Sequence, residues 1–232
     1  MRAAIYFTPS KNDPLTLRAA EWLGRDAFDD RIVRDPDPKI DVLVSEPVRY
    51  GFHATLKAPF RLADGTTLND LDRELAAFAQ RTQAVALGTL AVTRLDSFFA
   101  LTVQTAHPRL LQFEEAIRIT FEPFRAPLTE QEAARRNPQN LSERQKANLS
   151  RWGYPYVGQD FRFHMTLTNS IVDEDEAAQV AKRLHSQFNP ILETPVVIDA
   201  LALFVELEPR APFYVHSRHP LQSGMPSQGL EP

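Results

Sequence analysis

The chain has 232 residues, 26 basic and 30 acidic side chains, a formal net charge of −4 and no cysteine. A mixture of 43% hydrophobic and 24% charged residues is ordinary for a globular protein and excludes a disordered or fibrous chain. The missing cysteine excludes disulfides, thiolate metal sites and cysteine nucleophiles, and the acidic balance argues against a large basic surface for long nucleic acid.

At ~100–200 residues per domain the length fits one large domain or two small ones. No apolar run approaches the ~20 residues of a membrane span, and the N-terminus MRAAIYFTPSKNDP is too short in apolar residues for a signal peptide. Cytoplasmic placement follows as the expectation. No GxGxxG or GxxxxGK[ST] occurs, so the usual glycine-rich phosphate cradles are missing.

In chain order, a strand is predicted from Ala3 to Thr8. A helix follows from Pro14 or Leu15 to Leu23, stopped by Gly24. Residues 26–48, with Pro36, Pro38 and Pro47, read as loop, and their aspartates as a solvated run rather than a cation site. YGFHATLKAPF (50–60) reads as a strand, and Leu68 to Gln80 as a helix through Leu68, Leu71, Leu75 and Phe78, capped by Thr67 or Asn69. AVALGTLAVTRL reads as one strand and SFFALTVQT as the next, followed by a helix from His107 to about Phe121. After an irregular stretch, DFRFHMTLTNS (160–170) reads as a strand. Asp173 to Phe188 reads as a helix with an acidic first turn. TPVVIDALALFVEL and PFYVHS form a hairpin around Pro209, and residues from 221–222 to Pro232 read as a disordered tail.

This order holds a weak internal repeat: strand, helix, HATL strand, helix, strand, then strand, helix, HMTL strand, helix, strand. It implies an α+β fold of two lobes related by a pseudo-two-fold axis, with a cleft between antiparallel sheets.

The paired motif is His53-Ala54-Thr55-Leu56 and His164-Met165-Thr166-Leu167. Side chains on a strand alternate faces, so His53 and Thr55 share one face, with Lys57 beyond them, while Ala54 and Leu56 share the other. In the second copy Arg162, His164, Thr166 and Thr168 share a face, opposite the apolar Phe163, Met165 and Leu167. A histidine with an ordinary pKa near 6.5 serves as acid or base at neutral pH, and a threonine hydroxyl can donate to a phosphate oxygen. Two such pairs suit in-line displacement at phosphorus. One His–Thr pair alone occurs by chance in many strands; two copies in matching repeat positions carry far more information.

These residues resemble the 2H phosphoesterase superfamily, which is defined by two H-x-[ST] motifs and includes the LigT-like RNA 2′,3′-cyclic phosphodiesterases. The resemblance runs from IYFTP to FVELEPRAPFYVHSRHPL. YGFHATLKAPF, RWGYPYV and FRFHMTLT are most similar to a bacterial subfamily associated with phosphonate-metabolism operons, of DUF1045-like type. The resemblance implies the two-lobed fold, gives His53, Thr55, His164 and Thr166 the catalytic roles, and implies no metal and no cofactor. It also implies that the substrate is a small phosphorylated compound, a ribose 1,2-cyclic phosphate bearing a 5-phosphate. The chain departs from the compact LigT-like pattern in its longer stretch before the second motif.

That stretch, 123–160, extends to a basic segment. From Pro123 to Met165 the chain has seven basic and four acidic residues, together with Trp152, Tyr154 and Tyr156. A helical piece from about Leu141 to Arg151 ends at Gly153. The expectation is a lid-like segment inserted in a domain spanning 1–220, with Arg151 and Tyr154, beside Arg162, Lys57 and Tyr6, meeting the substrate. Its alternative is a solvated helix with packing aromatics. The other histidines read as surface or capping residues: His107 and His185, with His216 and His219 lacking a third metal ligand. Two other functions fit less well: a 2′,3′-cyclic phosphodiesterase for RNA ends or nucleotides, and a non-catalytic phosphate- or RNA-binding protein.

Overall fold

A computed structural model of the chain describes residues 1–105 and 108–223. His107 and residues 224–232, the bulk of the expected tail, lie outside the described residues.

The elements in chain order are β1 (Arg2–Phe7), α1 (Pro14–Leu23), β2 (Arg25–Asp26), β3 (Arg31–Ile32), α2 (Pro38–Val44), α3 (Pro47–Tyr50) and β4 (Ala54–Phe60). Then come α4 (Leu68–Gln80), β5 (Val85–Gly88), β6 (Leu90–Leu95), β7 (Phe98–Val103), α5 (Pro108–Thr120), α6 (Glu130–Ala134) and α7 (Glu143–Trp152). The chain continues with β8 (His164–Thr166), α8 (Glu174–Leu192), β9 (Val196–Ile198), β10 (Ala200–Glu206) and β11 (Tyr214–Pro220).

Helix ends follow their local chemistry. The Asp13 carboxylate accepts from the Leu15 N–H at the start of α1, and Thr67 and Asp70 form a reciprocal capping box on α4. Four expectations are corrected. Residues 26–48 are not mainly loop, because Pro38 and Pro47 open α2 and α3, where a missing N–H costs nothing. The strand expected over AVALGTLAVTRL breaks in two at Gly88, whose φ is 73°. Helix α8 runs on through Pro190 to Leu192. Residue 222, expected in the tail, is tied to the fold: the Gln222 N–H donates to the Thr82 carbonyl and its Nε2 to the Gln80 carbonyl.

Seven strands form one antiparallel sheet in the order β11-β10-β1-β4-β8-β7-β6, so the architecture is α+β. The expected cleft between two separate sheets is corrected on this point: the motif strands β4 and β8 are neighbours in a continuous sheet. Their junction is short. It has one registered pair, Ala54 opposite Met165, because β8 has only three residues. The junction divides the sheet into β11-β10-β1-β4 and β8-β7-β6. The strand after each motif helix crosses over: β6 pairs with β7, and β10 pairs with β1.

The sheet's two faces are chemically different. Ala54, Leu56, Met165 and Leu167 enter the main core with Ile5 and Phe7, against Trp22, Leu75, Ile117, Leu184 and Phe188 from α1, α4, α5 and α8. Ala4, Tyr6, Ala202 and Phe204 face the other way and pack with Phe213. The helices therefore cover one face, and the second face is left for a site.

Candidate active site

The two motifs place their polar side chains on the uncovered face. His53, Thr55, His164 and Thr166 are half-buried, while the residues between and after them are buried. Ala54 opposite Met165 in an antiparallel pair puts His53 beside Thr166 and Thr55 beside His164. Tyr6 lies opposite Thr55 on one side, and Thr102 lies opposite His164 on the other.

Both histidines are held in the same way. His53 Nδ1 lies 2.9 Å from the Gly51 carbonyl oxygen, and His164 Nδ1 lies 2.8 Å from the Arg162 carbonyl oxygen. A carbonyl only accepts, so Nδ1 carries the hydrogen in each ring. Nε2 is then the position for giving or taking a proton in both, and it has no protein partner among the described residues.

Gly51 makes the first of these bonds possible. Its φ of 73° and ψ of −179° belong to a region that only glycine occupies readily. A Cβ there would stand 2.5 Å from the Cβ of Ala27. At the second motif, Trp22 Nε1 donates to the buried Leu167 carbonyl at 2.7 Å and Thr168 Oγ1 accepts from the Phe99 N–H at 2.9 Å.

The rings differ in surroundings. Tyr6 stacks on His53, with centroids 3.8 Å apart and planes 19° apart, whereas Phe98 meets His164 edge-on at 5.9 Å. Burial pulls the His53 pKa down to about 4, with the neighbouring His164 adding to the shift against the Gly51 carbonyl. Burial also lowers His164, and the Arg162 guanidinium works in the same direction.

A cavity of about 690 Å³ opens beside this face and reaches it at Thr55. Its lining includes nine cationic side chains (Arg2, Arg49, Lys57, Arg61, Arg118, Arg125, Arg135, Arg136 and Arg210) against the carboxylates of Glu114, Glu132 and Glu206. In a chain of net charge −4 this concentration of positive charge marks a place for anions. His53, His164 and Thr166 are not part of the lining.

The other candidate residues are distributed unevenly. Tyr154 lines the cavity beneath the Arg136 guanidinium, which stands 5.2 Å from its ring centroid. Tyr6 is buried against His53 and supports the ring. Lys57 lines the cavity, but its ammonium is 2.8 Å from Glu122 and 3.4 Å from the Arg118 carbonyl; burial lowers its pKa despite Glu122. Arg162 is exposed and outside the cavity. Arg151 is also outside it, at the exposed end of α7 with its guanidinium 4.5 Å from the centroid of Trp152. The remaining histidines are engaged elsewhere: His185 with the Ala181 carbonyl, and His219 with Asp72. Among the described residues no group of three or more His, Asp or Glu side chains converges as a metal site. No helix there is long and apolar enough to cross a membrane.

Segment 123–160 forms one wall of the cavity and is fastened to the end of β4. The Ala126 N–H donates to the Arg61 carbonyl, and Arg61 bonds Glu132 at 2.9 Å, holding that carboxyl down to about 2.

Sequence reasoning missed Arg2, Arg49, Tyr50, Thr102 and Arg136 as site residues. Arg2 had a signal: period-two alternation from Tyr6 leads through Ala4 to Arg2. Arg49 and Tyr50 gave none: Arg49 falls between the expected loop (26–48) and the expected strand (50–60), and Tyr50 is expected in that strand, whereas both belong to α3.

Comparison with known proteins places these features in context. A family model described as a protein of unknown function, DUF1045, matches residues 55–214. The chain is 37% identical over 228 residues to a protein of Janthinobacterium sp. (strain Marseille) named ribose 1,5-bisphosphate phosphokinase PhnN, covering 94% of this chain and 50% of that one. It is 35% identical over 216 residues to a protein of the same name from Laribacter hongkongensis (strain HLHK9), covering 92% and 50%. The chain spans about half the length of these curated relatives. A solved structure described as a phosphoesterase aligns with a TM-score of 0.42 at 11% identity, over 96% of this chain and 99% of that one.

Proposed function

The chain belongs to the DUF1045 family, and from that premise we propose that it is a metal-independent phosphoesterase opening a small cyclic phosphate. The observation that carries this reading is the matched pair of histidines, each donating Nδ1–H to the carbonyl two residues upstream and each keeping Nε2 for proton transfer.

In the proposed reaction a phosphodiester ring lies over the β4–β8 junction. One neutral histidine takes a proton from the attacking water through Nε2. The other, protonated, gives its Nε2 proton to the leaving sugar oxygen. One P–O bond forms, one breaks, and the product is a phosphate monoester. The Thr55 and Thr166 hydroxyls donate to non-bridging oxygens, where charge grows as the reaction proceeds.

The preferred substrate in this reading is 5-phosphoribosyl 1,2-cyclic phosphate. Its hydrolysis gives ribose 1,5-bisphosphate, the compound in the names of the curated relatives. Those names also support a setting in phosphonate breakdown. The chain has no GxxxxGK[ST] loop, so the reading takes from them the bisphosphorylated ribose and not the kinase step. The cationic cavity suits a substrate with two phosphates.

We also read the fold as two halves related by a pseudo-two-fold axis, as 2H phosphoesterases are built. The strand order supports this: β10-β1-β4 matches β6-β7-β8 when read outward-in from both sides, and β5 pairs with β9. Segment 123–160 is the wall that covers the substrate.

The test is a substrate comparison by ³¹P NMR, with 5-phosphoribosyl 1,2-cyclic phosphate beside 2′,3′-cyclic nucleotides. Turnover of the sugar phosphate alone supports the reading. Turnover of the nucleotides alone replaces it with the RNA-end reading. Tight binding of either without turnover makes the chain a binding protein.

A further inference from the structure

The cavity wall nearest Tyr6 holds charge that the chemistry at His53 and His164 does not use. Arg2 Nη2 bonds the Glu206 carboxylate at 2.8 Å, Arg49 bonds the same carboxylate, and the Arg210 N–H donates to it at 3.0 Å. Glu206 is buried, and although burial raises its pKa, these arginines hold it ionised. Two guanidinium groups therefore share one negative charge. Arg49 also donates to the Tyr50 hydroxyl at 3.3 Å.

Arg136 lines the same cavity. Its guanidinium lies over the Tyr154 ring and has no carboxylate partner among the described residues. Arg2, Arg49, Tyr50, Arg136 and Tyr154 all line this one cavity. These groups thus converge on one region. Tyr6 is the link to the reacting centre, since it stacks on His53 and lies opposite Thr55.

Among Arg2, Arg49, Arg136 and Glu206 alone the surplus is two positive charges: one from Arg2 and Arg49 over Glu206, one from Arg136, and Arg135 and Arg210 line the same cavity. That matches a phosphate monoester dianion, which guanidinium forks bind in paired hydrogen bonds. We propose that Arg136, with the Arg2–Arg49 pair of the same cavity, seats a second phosphate group of the substrate, remote from the phosphorus between the two histidines. The site rests on the phosphoesterase reading for its place in a reaction, but not for its existence as an anion site. It selects a phosphorylated sugar over an unphosphorylated one. The expected contribution of Arg151 passes to Arg136, because Arg151 is exposed and outside the cavity lining.

The experiment is calorimetric binding of ribose 5-phosphate, with ribose as control, to the parent chain, Arg136→Gln and His164→Gln. Loss of charge-assisted bonds in Arg136→Gln should weaken ribose 5-phosphate binding at least ~10-fold. His164→Gln, which is not part of the cavity lining, should change it by less than about twofold while turnover of cyclic phosphate is lost. Ribose should bind none of the three proteins. Unchanged affinity in Arg136→Gln, or loss of binding in His164→Gln alone, overturns the proposal. Arg136-dependent binding in a protein that turns over no cyclic phosphate keeps this site and refutes the reaction instead.

Discussion

Ala54 stands opposite Met165 in the single registered pair that joins the motif strands. That one contact decides the geometry of everything polar above it. In an antiparallel pair the flanking positions share a face, so His53 comes beside Thr166 and Thr55 beside His164. With Ala54 and Met165 buried in the core beneath, a one-residue slip of either strand would send its histidine into the core.

His53→Ala and His164→Ala should each lower kcat by at least ~10², because each removes one proton-transfer group from the same step. The double variant should lose little more than the worse single one, since residues acting as a unit are not additive. Steady-state kinetics decides this. Independent, additive losses would mean that the two histidines do not serve one transition state.

The pH dependence has a definite direction. In the free protein, burial holds His53 at about 4 and His164 below its ordinary value. The limbs of kcat/KM report free-enzyme pKa values. The profile should therefore be bell-shaped, with its optimum below pH ~6.5, the ordinary histidine value. An optimum well above neutrality would contradict the assignment.

The same shift acts on stability. Between about 4 and ~6.5 the unfolded chain binds more protons at His53 than the folded one does, so this group's contribution falls as pH drops through that window. In His53→Gln the loss of Tm from pH 6.5 to 4 should be smaller than in the parent. An identical slope in the two proteins would refute the burial of this ring.

Gly51→Ala tests the carbonyl that orients His53. The substitution forces a side chain into a glycine-only conformation, at about 1–3 kcal/mol, and drives its Cβ into Ala27. It should lower both Tm and kcat. Adding Ala27→Gly should restore part of the stability by removing the clash and leave the backbone strain. A Gly51→Ala protein with the parent's Tm and kcat would show that the Gly51 carbonyl is not needed in its place.

Trp22→Phe removes the donor to the buried Leu167 carbonyl. An unsatisfied buried acceptor costs about 1–3 kcal/mol, and the lost ring volume adds to it. Chemical denaturation should show at least that loss. A neutral result would mean that the end of the second motif is held by other contacts.

The faces of the two motifs are legible in the sequence, for a physical reason. Period-two alternation is a local property, so H-x-T followed by leucine reports a face whatever surrounds it, and both copies behave alike. The pairing of the two strands was not legible, because register depends on contacts 111 positions apart in the chain. Helix starts at Pro38 and Pro47 were misread because proline marks loops and first helical turns equally. The cationic cavity wall was hidden for the same reason as the register. Arg2, Arg49, Arg136 and Glu206 come from four separate parts of the chain, and only folding brings their charges together. Arg151 looked equivalent to Arg136 in composition, and its position on the outer end of α7 separates them.

The most direct test of the central claim is turnover of 5-phosphoribosyl 1,2-cyclic phosphate in excess EDTA, followed by ³¹P NMR, for the parent and for His53→Ala and His164→Ala. The account predicts that the parent converts it to ribose 1,5-bisphosphate at a rate unaffected by chelator, and that each variant is at least ~10² slower. Turnover that stops in EDTA and returns with added metal, or that survives loss of either histidine, would contradict it.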